Sequence, residues 1–108
     1  MTRKGKVYQN GILAGIIEKK GFAYIFFYDE NFLKDKNLKP ISLNFPKTRK
    51  KFSSKYLFPF FYGLLAEGAL QEIQCRKFKI DVNDHFSRLL KTTKFDTIGN
   101  VTIEETNE

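Results

Sequence analysis

Asn10-Gly11 separates two β-compatible runs, Lys6 to Gln9 and Ile12 to Ile17, and restricts the fold more than any other pair of residues in the chain. A two-residue hairpin loop of type I′ needs positive φ at both central positions, which Asn tolerates and Gly adopts without strain. The two runs are therefore expected to pair antiparallel. A second turn, Lys19-Lys20-Gly21, leads into Phe22 to Tyr28, an aromatic run too short and too β-prone for a helix. Three antiparallel strands in a meander are the expected start of the fold.

The same region contains KGFAYIFF, residues 20 to 27, which fits the RNA-recognition octamer at each position. In an RNA-recognition domain that octamer lies on the third strand of βαββαβ, so a strand and a whole helix must precede the second strand. Only nineteen residues precede Lys20, and the hairpin already occupies them. Alternating aromatics after a glycine turn are also what a half-buried strand needs, and that explanation is preferred.

The rest of the chain alternates short elements with turns. Asp29 to Lys39 reads as a loop or a single helical turn anchored by Phe32, Leu33 and Leu38. PISLNFP, residues 40 to 46, is bracketed by prolines that lack ladder donors and suits a short edge strand. KTRKKFSSK, which follows, reads as a surface loop. Pro59 fits the first turn of a helix continued by Phe60 to Leu65. Gly68 interrupts it before a second helical stretch, Ala69 to Lys79, with Leu70, Ile73 and Phe78 expected to face inward. Asn83 or Asp84 can cap a further helix whose buried stripe is Phe86, Leu89 and Leu90. Phe95 to Gly99 is a turn region, and Val101 to Ile103 alternates as a last strand. The expectation is an α+β fold, a small antiparallel sheet of three or more strands packed against two to three helices. Residues 1–103 form one domain, and 104–108 are an acidic tail expected to fray.

Composition narrows the function. Cys75 is the only cysteine and cannot form an internal bridge, and MTRKGKVYQNG lacks the apolar run of a signal peptide, so a reducing cytoplasm is expected. The longest uncharged apolar run is residues 56 to 66, whereas a helical membrane span needs about 20 residues. The net charge of +7 is unevenly placed, +9 over residues 1–56 and −2 over residues 57–108. Lys47, Arg49, Lys50 and Lys51, flanked by Phe45 and Phe52, form a candidate patch for an acidic partner or a nucleic acid, though a solvated loop is the simpler account. For catalysis, Cys75 and His85 make the only nucleophile and base pair, on separate expected helices with nothing to bring them together. One Cys and one His do not suit a transition-metal site. Gly11 to Gly15 lacks the Lys-Ser/Thr of a phosphate-binding loop, and no protein-kinase signature is present. No cofactor is expected.

An ordered set of segments carries a resemblance. These are KVYQNGILAGII, FFYDENFL, PISLNFP, FPFFYGLLAEG, VNDHFSRLL and FDTIGNVTI. In that order and spacing they resemble the N-terminal subdomain of the HipA-type kinase toxins, with its F-x-Y-D, F-F-x-x-L-L-P-E-G, D-x-F-x-L-L and D-x-x-G-x-V pieces. Ala66 departs from the pattern, standing where the family commonly has Pro. The chain ends where a full-length toxin would begin its kinase core, so the resemblance implies no ATP-binding or phosphotransfer residues here.

As a free-standing version of this subdomain, the chain looks like the HipS antitoxins of three-part HipBST systems. That resemblance implies a non-catalytic protein that binds and restrains a separate HipT-type kinase toxin, with a DNA-binding HipB-like protein as third partner. Gly63, Leu64, Leu65, Glu67, Gly68, Ala69 and Gln71 are the candidate partner-binding residues. The glycines allow close approach of backbone, and Glu67 can bond to donors of the partner. The competing classes are a nucleic-acid-binding module using residues 47 to 51, and an assembly subunit of a repressor complex that does not inhibit the kinase.

Overall fold

The computed structural model describes residues 2–94 and 100–106. Strands β1 (Thr2–Gln9) and β2 (Ile12–Lys20) form the expected hairpin, closed at the pair Gln9 and Ile12. Asn10 and Gly11 have φ of 52° and 80°, the two positive values that a type I′ loop requires. β3 (Ala23–Tyr28) pairs antiparallel with β2, completing the meander. Short helix α1 (Glu30–Lys34) follows, its first turn capped by the Asp29 carboxylate, which accepts from the Asn31 and Phe32 amides. Next come β4 (Lys51–Ser54), α2 (Pro59–Tyr62), α3 (Gly68–Phe78), α4 (His85–Thr92) and β5 (Val101–Thr106). The five strands lie in the order β4-β3-β2-β1-β5, each antiparallel to its neighbours. The fold is α+β, as expected. Among the described residues no helix is long and apolar enough to cross a membrane.

α4 packs against β5, α2 sets Phe61 against Phe26 of the sheet, and α3 lies on α4. Val7, Ile17, Phe26, Tyr28, Val101 and Ile103 point into the core, where they meet Phe45, Phe58, Phe61, Phe86, Leu89 and Leu90. Phe86, Leu89 and Leu90 are the stripe expected of α4, and Asp84 is its cap, accepting from the Ser87 amide. Gly15 lies so close to β3 that a Cβ there would be 2.3 Å from the Phe27 carbonyl oxygen.

Four expectations are corrected. PISLNFP is not a strand. The Ser42 carbonyl accepts from the Phe45 amide, a turn that sends Ile41 and Phe45 into the core together and leaves Leu43 97% exposed. The Tyr28 hydroxyl holds both ends of this turn, donating to the Phe45 carbonyl and accepting from the Ile41 amide at 3.3 Å. The edge strand is instead β4, within the segment expected as a surface loop. Phe52 inserts beside Phe26, and Lys51 and Ser53 face outward, as suits an exposed edge. Leu70, Ile73 and Phe78 do not face inward. Finally, Glu104 to Thr106 do not fray but continue β5, paired with Lys6 to Lys4 of β1. The turn region at residues 95–99 and the last two residues of the tail lie outside the described residues.

Glu105 accounts for the extension of β5. Its carboxylate pairs with Lys91 of α4 at 2.5 Å and with Arg3 of β1 at 3.3 Å, tying helix to sheet. The hydrogen bond from Lys91 holds its pKa below the ordinary carboxylate value; partial burial opposes this and the bond from Arg3 adds to it. At Asp84 burial pushes upward, but the Ser87 hydroxyl and amide, with Arg3 and Lys19 nearby, bring the group below its usual value.

Two predictions follow from these contacts. Tyr28→Phe removes the hydroxyl and leaves the Ile41 amide and Phe45 carbonyl without it, so urea denaturation should show a loss of about 1–3 kcal/mol. The lowered folded pKa values of Glu105 and Asp84 contribute stability that is present above their unfolded values, roughly pH 4, and lost as pH falls through the folded values. The urea midpoint should therefore drop between neutral pH and about pH 3, and drop less in Glu105→Gln; an equal drop in both proteins would refute the assignment to Glu105.

Candidate interaction site

The segment from α2 to α3 is a sharp elbow. Pro59 opens α2 at its first position, where the missing amide costs nothing, and Phe61 buries its ring against Phe26 and Phe45. Leu64 and Leu65 are buried, so these two candidates hold the elbow to the core and are not displayed to a partner. Gly63, Glu67, Gly68 and Ala69 are exposed, and Gln71 is half-buried. Gly68 has φ of 63°, a left-handed value that lets the chain reverse directly into α3. Glu67 sits at the N-cap without a side-chain capping bond, and its carboxylate forms no ion pair among the described residues.

Arg88 of α4 fixes the elbow from beneath. It is 4% exposed, and its guanidinium donates to the carbonyls of Ala66 at 2.8 Å and Val82 at 3.3 Å. One side chain thus ties the corner before α3 to the connection after it. Tyr62, Leu65, Ala66, Glu67, Gln71 and Arg88 enclose a polar cavity of about 20 Å³, close to the space of one water molecule. His85 packs edge-on against Tyr62 at 4.9 Å, while Cys75 lies half-buried on α3. Among the described residues no three His, Cys, Asp or Glu side chains gather to hold a metal.

The side chains of α3 beyond the elbow are arranged opposite to a core helix. Gln74 is its one buried residue, whereas Leu70, Ile73 and Phe78 are 49%, 59% and 43% exposed. The aromatic cluster and α4 already close the core, so α3 packs against α4 and leaves these three side chains largely to solvent. Tyr62 and Val82, also exposed, lie on the segments leading into and out of it. Leu70 and Ile73 are i, i+3 neighbours, a spacing that serves a core and an interface equally, whereas Phe78 stands apart from them at the C-terminal end of α3.

The basic segment is dispersed. Lys47 donates to the carbonyls of Asp35 and Leu38, both at 2.7 Å, and lies over the Phe32 ring. Lys50 pairs with Glu30 at 2.6 Å, and Arg49 lies over the Phe52 ring at 4.9 Å. Lys51 faces outward on β4. Three of these four cations thus have contacts within the chain.

A family model described as the HipA N-terminal domain matches residues 5–104. A Haemophilus influenzae protein, described as uncharacterized, is 31% identical over 105 residues, which is 97% of this chain and 94% of that protein. The solved structure of an N-terminal domain of HipA toxin superposes with a TM-score of 0.74 at 28% identity, covering 98% of this chain and 94% of its own.

The role given to Arg88 is open to a direct test. Arg88→Met keeps most of the side-chain volume but leaves two carbonyls without their charged donor, and should lower stability by about 2–4 kcal/mol in urea denaturation. A loss no larger than that of an exposed Arg76→Met control would refute it.

Proposed function

Because this chain belongs to the HipA N-terminal domain family, we propose that it binds a separate HipT-type Ser/Thr kinase toxin and restrains it. The family ties the chain to toxin–antitoxin systems. The finer reading is a non-catalytic antitoxin of the HipS type, acting in the cytoplasm, with a DNA-binding HipB-like protein as third member of the complex. One observation carries the choice of surface: α3 turns Leu70, Ile73 and Phe78 to solvent beside the exposed elbow of Gly63, Glu67, Gly68 and Ala69. A stable contact needs about 800 Å² from each partner, and apolar side chains surrounded by polar ones are the usual make-up of its centre.

On this reading the elbow reaches the kinase first. Gly68 and Ala69 present almost bare backbone, and the Glu67 carboxylate is available to a cation of the kinase. The rigidity given by Arg88 favours binding, because a preformed elbow loses little conformational entropy when it docks. Restraint then follows if the kinase conformation that accepts α3 is not the one that transfers phosphate.

Co-expression with a HipT-type kinase from the same genome should relieve its toxicity and yield a co-purifying complex. Leu70→Asp with Ile73→Asp, both at exposed positions, should abolish both effects while leaving the thermal midpoint within a few degrees. Toxicity unchanged and no complex would sink the proposal. A complex that leaves toxicity unchanged would reduce the role to assembly of a repressor complex.

A further inference from the structure

The octamer KGFAYIFF has one feature that the sheet does not use. Phe22 occupies the second position of a two-residue loop between β2 and β3, closed by the pair Lys20 and Ala23, and its ring is 96% exposed. A hairpin loop needs no aromatic at that position, and an exposed ring contributes nothing to the core. Tyr24, Phe26 and Tyr28, by contrast, are packed against Phe86 or the aromatic cluster.

Phe22 borders a shallow, wide-open depression lined also by Lys20, Ala23, Ser53, Ser54 and Lys55. Ser53 and Ser54 belong to the end of β4, an edge strand of the sheet. Lys20 and Lys55 are exposed, and among the described residues neither has a carboxylate within ion-pair distance. This separates them from the other cations at this end of the sheet: Arg3 pairs with Glu105, Lys4 with Glu18, and Lys19 lies over the Tyr24 ring. The Ser54 oxygen accepts from the Tyr56 amide, which leaves its O–H free to donate. This surface thus combines a free aromatic face, two unneutralised cations and hydroxyl donors within reach of one another.

We propose that this surface binds single-stranded nucleic acid, with a base stacked on Phe22 and flanking phosphates held by Lys20 and Lys55. An acidic peptide would neutralise the lysines but would leave the ring without a partner, whereas a strand of nucleotides uses both at once. Such binding reads no sequence, since every base has a face to stack. The site is independent of the kinase-binding reading. It also differs from the RNA-recognition arrangement, in which the rings stand on the sheet face and not in a turn at its end.

The test uses the chain with a labelled oligothymidylate of about twelve nucleotides, followed by fluorescence anisotropy at low and moderate salt. Binding is expected at low salt, weakened about tenfold by Phe22→Ala and retained by Phe22→Tyr, with neither change affecting the thermal midpoint. Lys20→Gln with Lys55→Gln should reduce the slope of log affinity against log salt by about 1.4, the share of two single-strand phosphates. No binding at low salt would overturn the proposal. So would binding that Phe22→Ala leaves unchanged, or displacement of the oligonucleotide by polyglutamate as readily as by unlabelled strand, which would mark an acidic-peptide site.

Discussion

Phe26 meets four other rings, those of Tyr28, Phe45, Phe52 and Phe61, with centroids 4.9 to 6.3 Å apart, and the rest of the structure is arranged around this contact. The rings reach it from β3, the loop after α1, β4 and α2, so three segments distant in sequence are held to one strand. Tilted and edge-on contacts dominate, the geometry that ring quadrupoles favour. Tyr28 extends the cluster by stacking on Phe32 and by holding the 41–45 turn with its hydroxyl. Burial pushes that phenol above its ordinary pKa, so at neutral pH it remains the donor that the Phe45 carbonyl requires.

This cluster also explains why a helix with apolar side chains lies outside the core. Once the rings and the α4 stripe of Phe86, Leu89 and Leu90 have filled the space above the sheet, α3 can only rest on the surface. Its buried and half-buried residues there are Gln71, Gln74 and Cys75. The buried Arg88 then becomes necessary, since the elbow has few apolar contacts beyond Leu64 and Leu65 and is held by hydrogen bonds to its carbonyls. An elbow held by hydrogen bonds beside exposed Leu70 and Ile73 is a consequence of how the core was filled.

Much of this was legible beforehand. The Asn10-Gly11 hairpin, the meander and the Asp84-capped helix with its stripe depend on interactions between near neighbours in sequence, and the alternation of Val101 to Ile103 marked the last strand although its partner β1 lies at the other end of the chain. The resemblance carried by FFYDENFL, FPFFYGLLAEG and VNDHFSRLL pointed to the family. The misreadings have one cause. PISLNFP has the alternation of a strand, but the Tyr28 hydroxyl, a dozen or more residues away, makes it a turn. KTRKKFSSK has the composition of a loop, but a single Phe52 reaching Phe26 draws it into the sheet.

The sequence by itself determined the local geometry: where φ must be positive, where a carboxylate can cap, which runs alternate. It also determined that rings would make up a large share of the core, because twelve Phe and five Tyr stand beside ten Leu and nine Ile in 108 residues. Only the tertiary structure decided which apolar residues were left over. Leu64 and Leu65 went inside while Leu70, Ile73 and Phe22 stayed out, although all are apolar and four of them lie on the same stretch of chain. Burial depends on the space remaining after the largest rings have packed, a property of the whole assembly of elements that no local pattern contains.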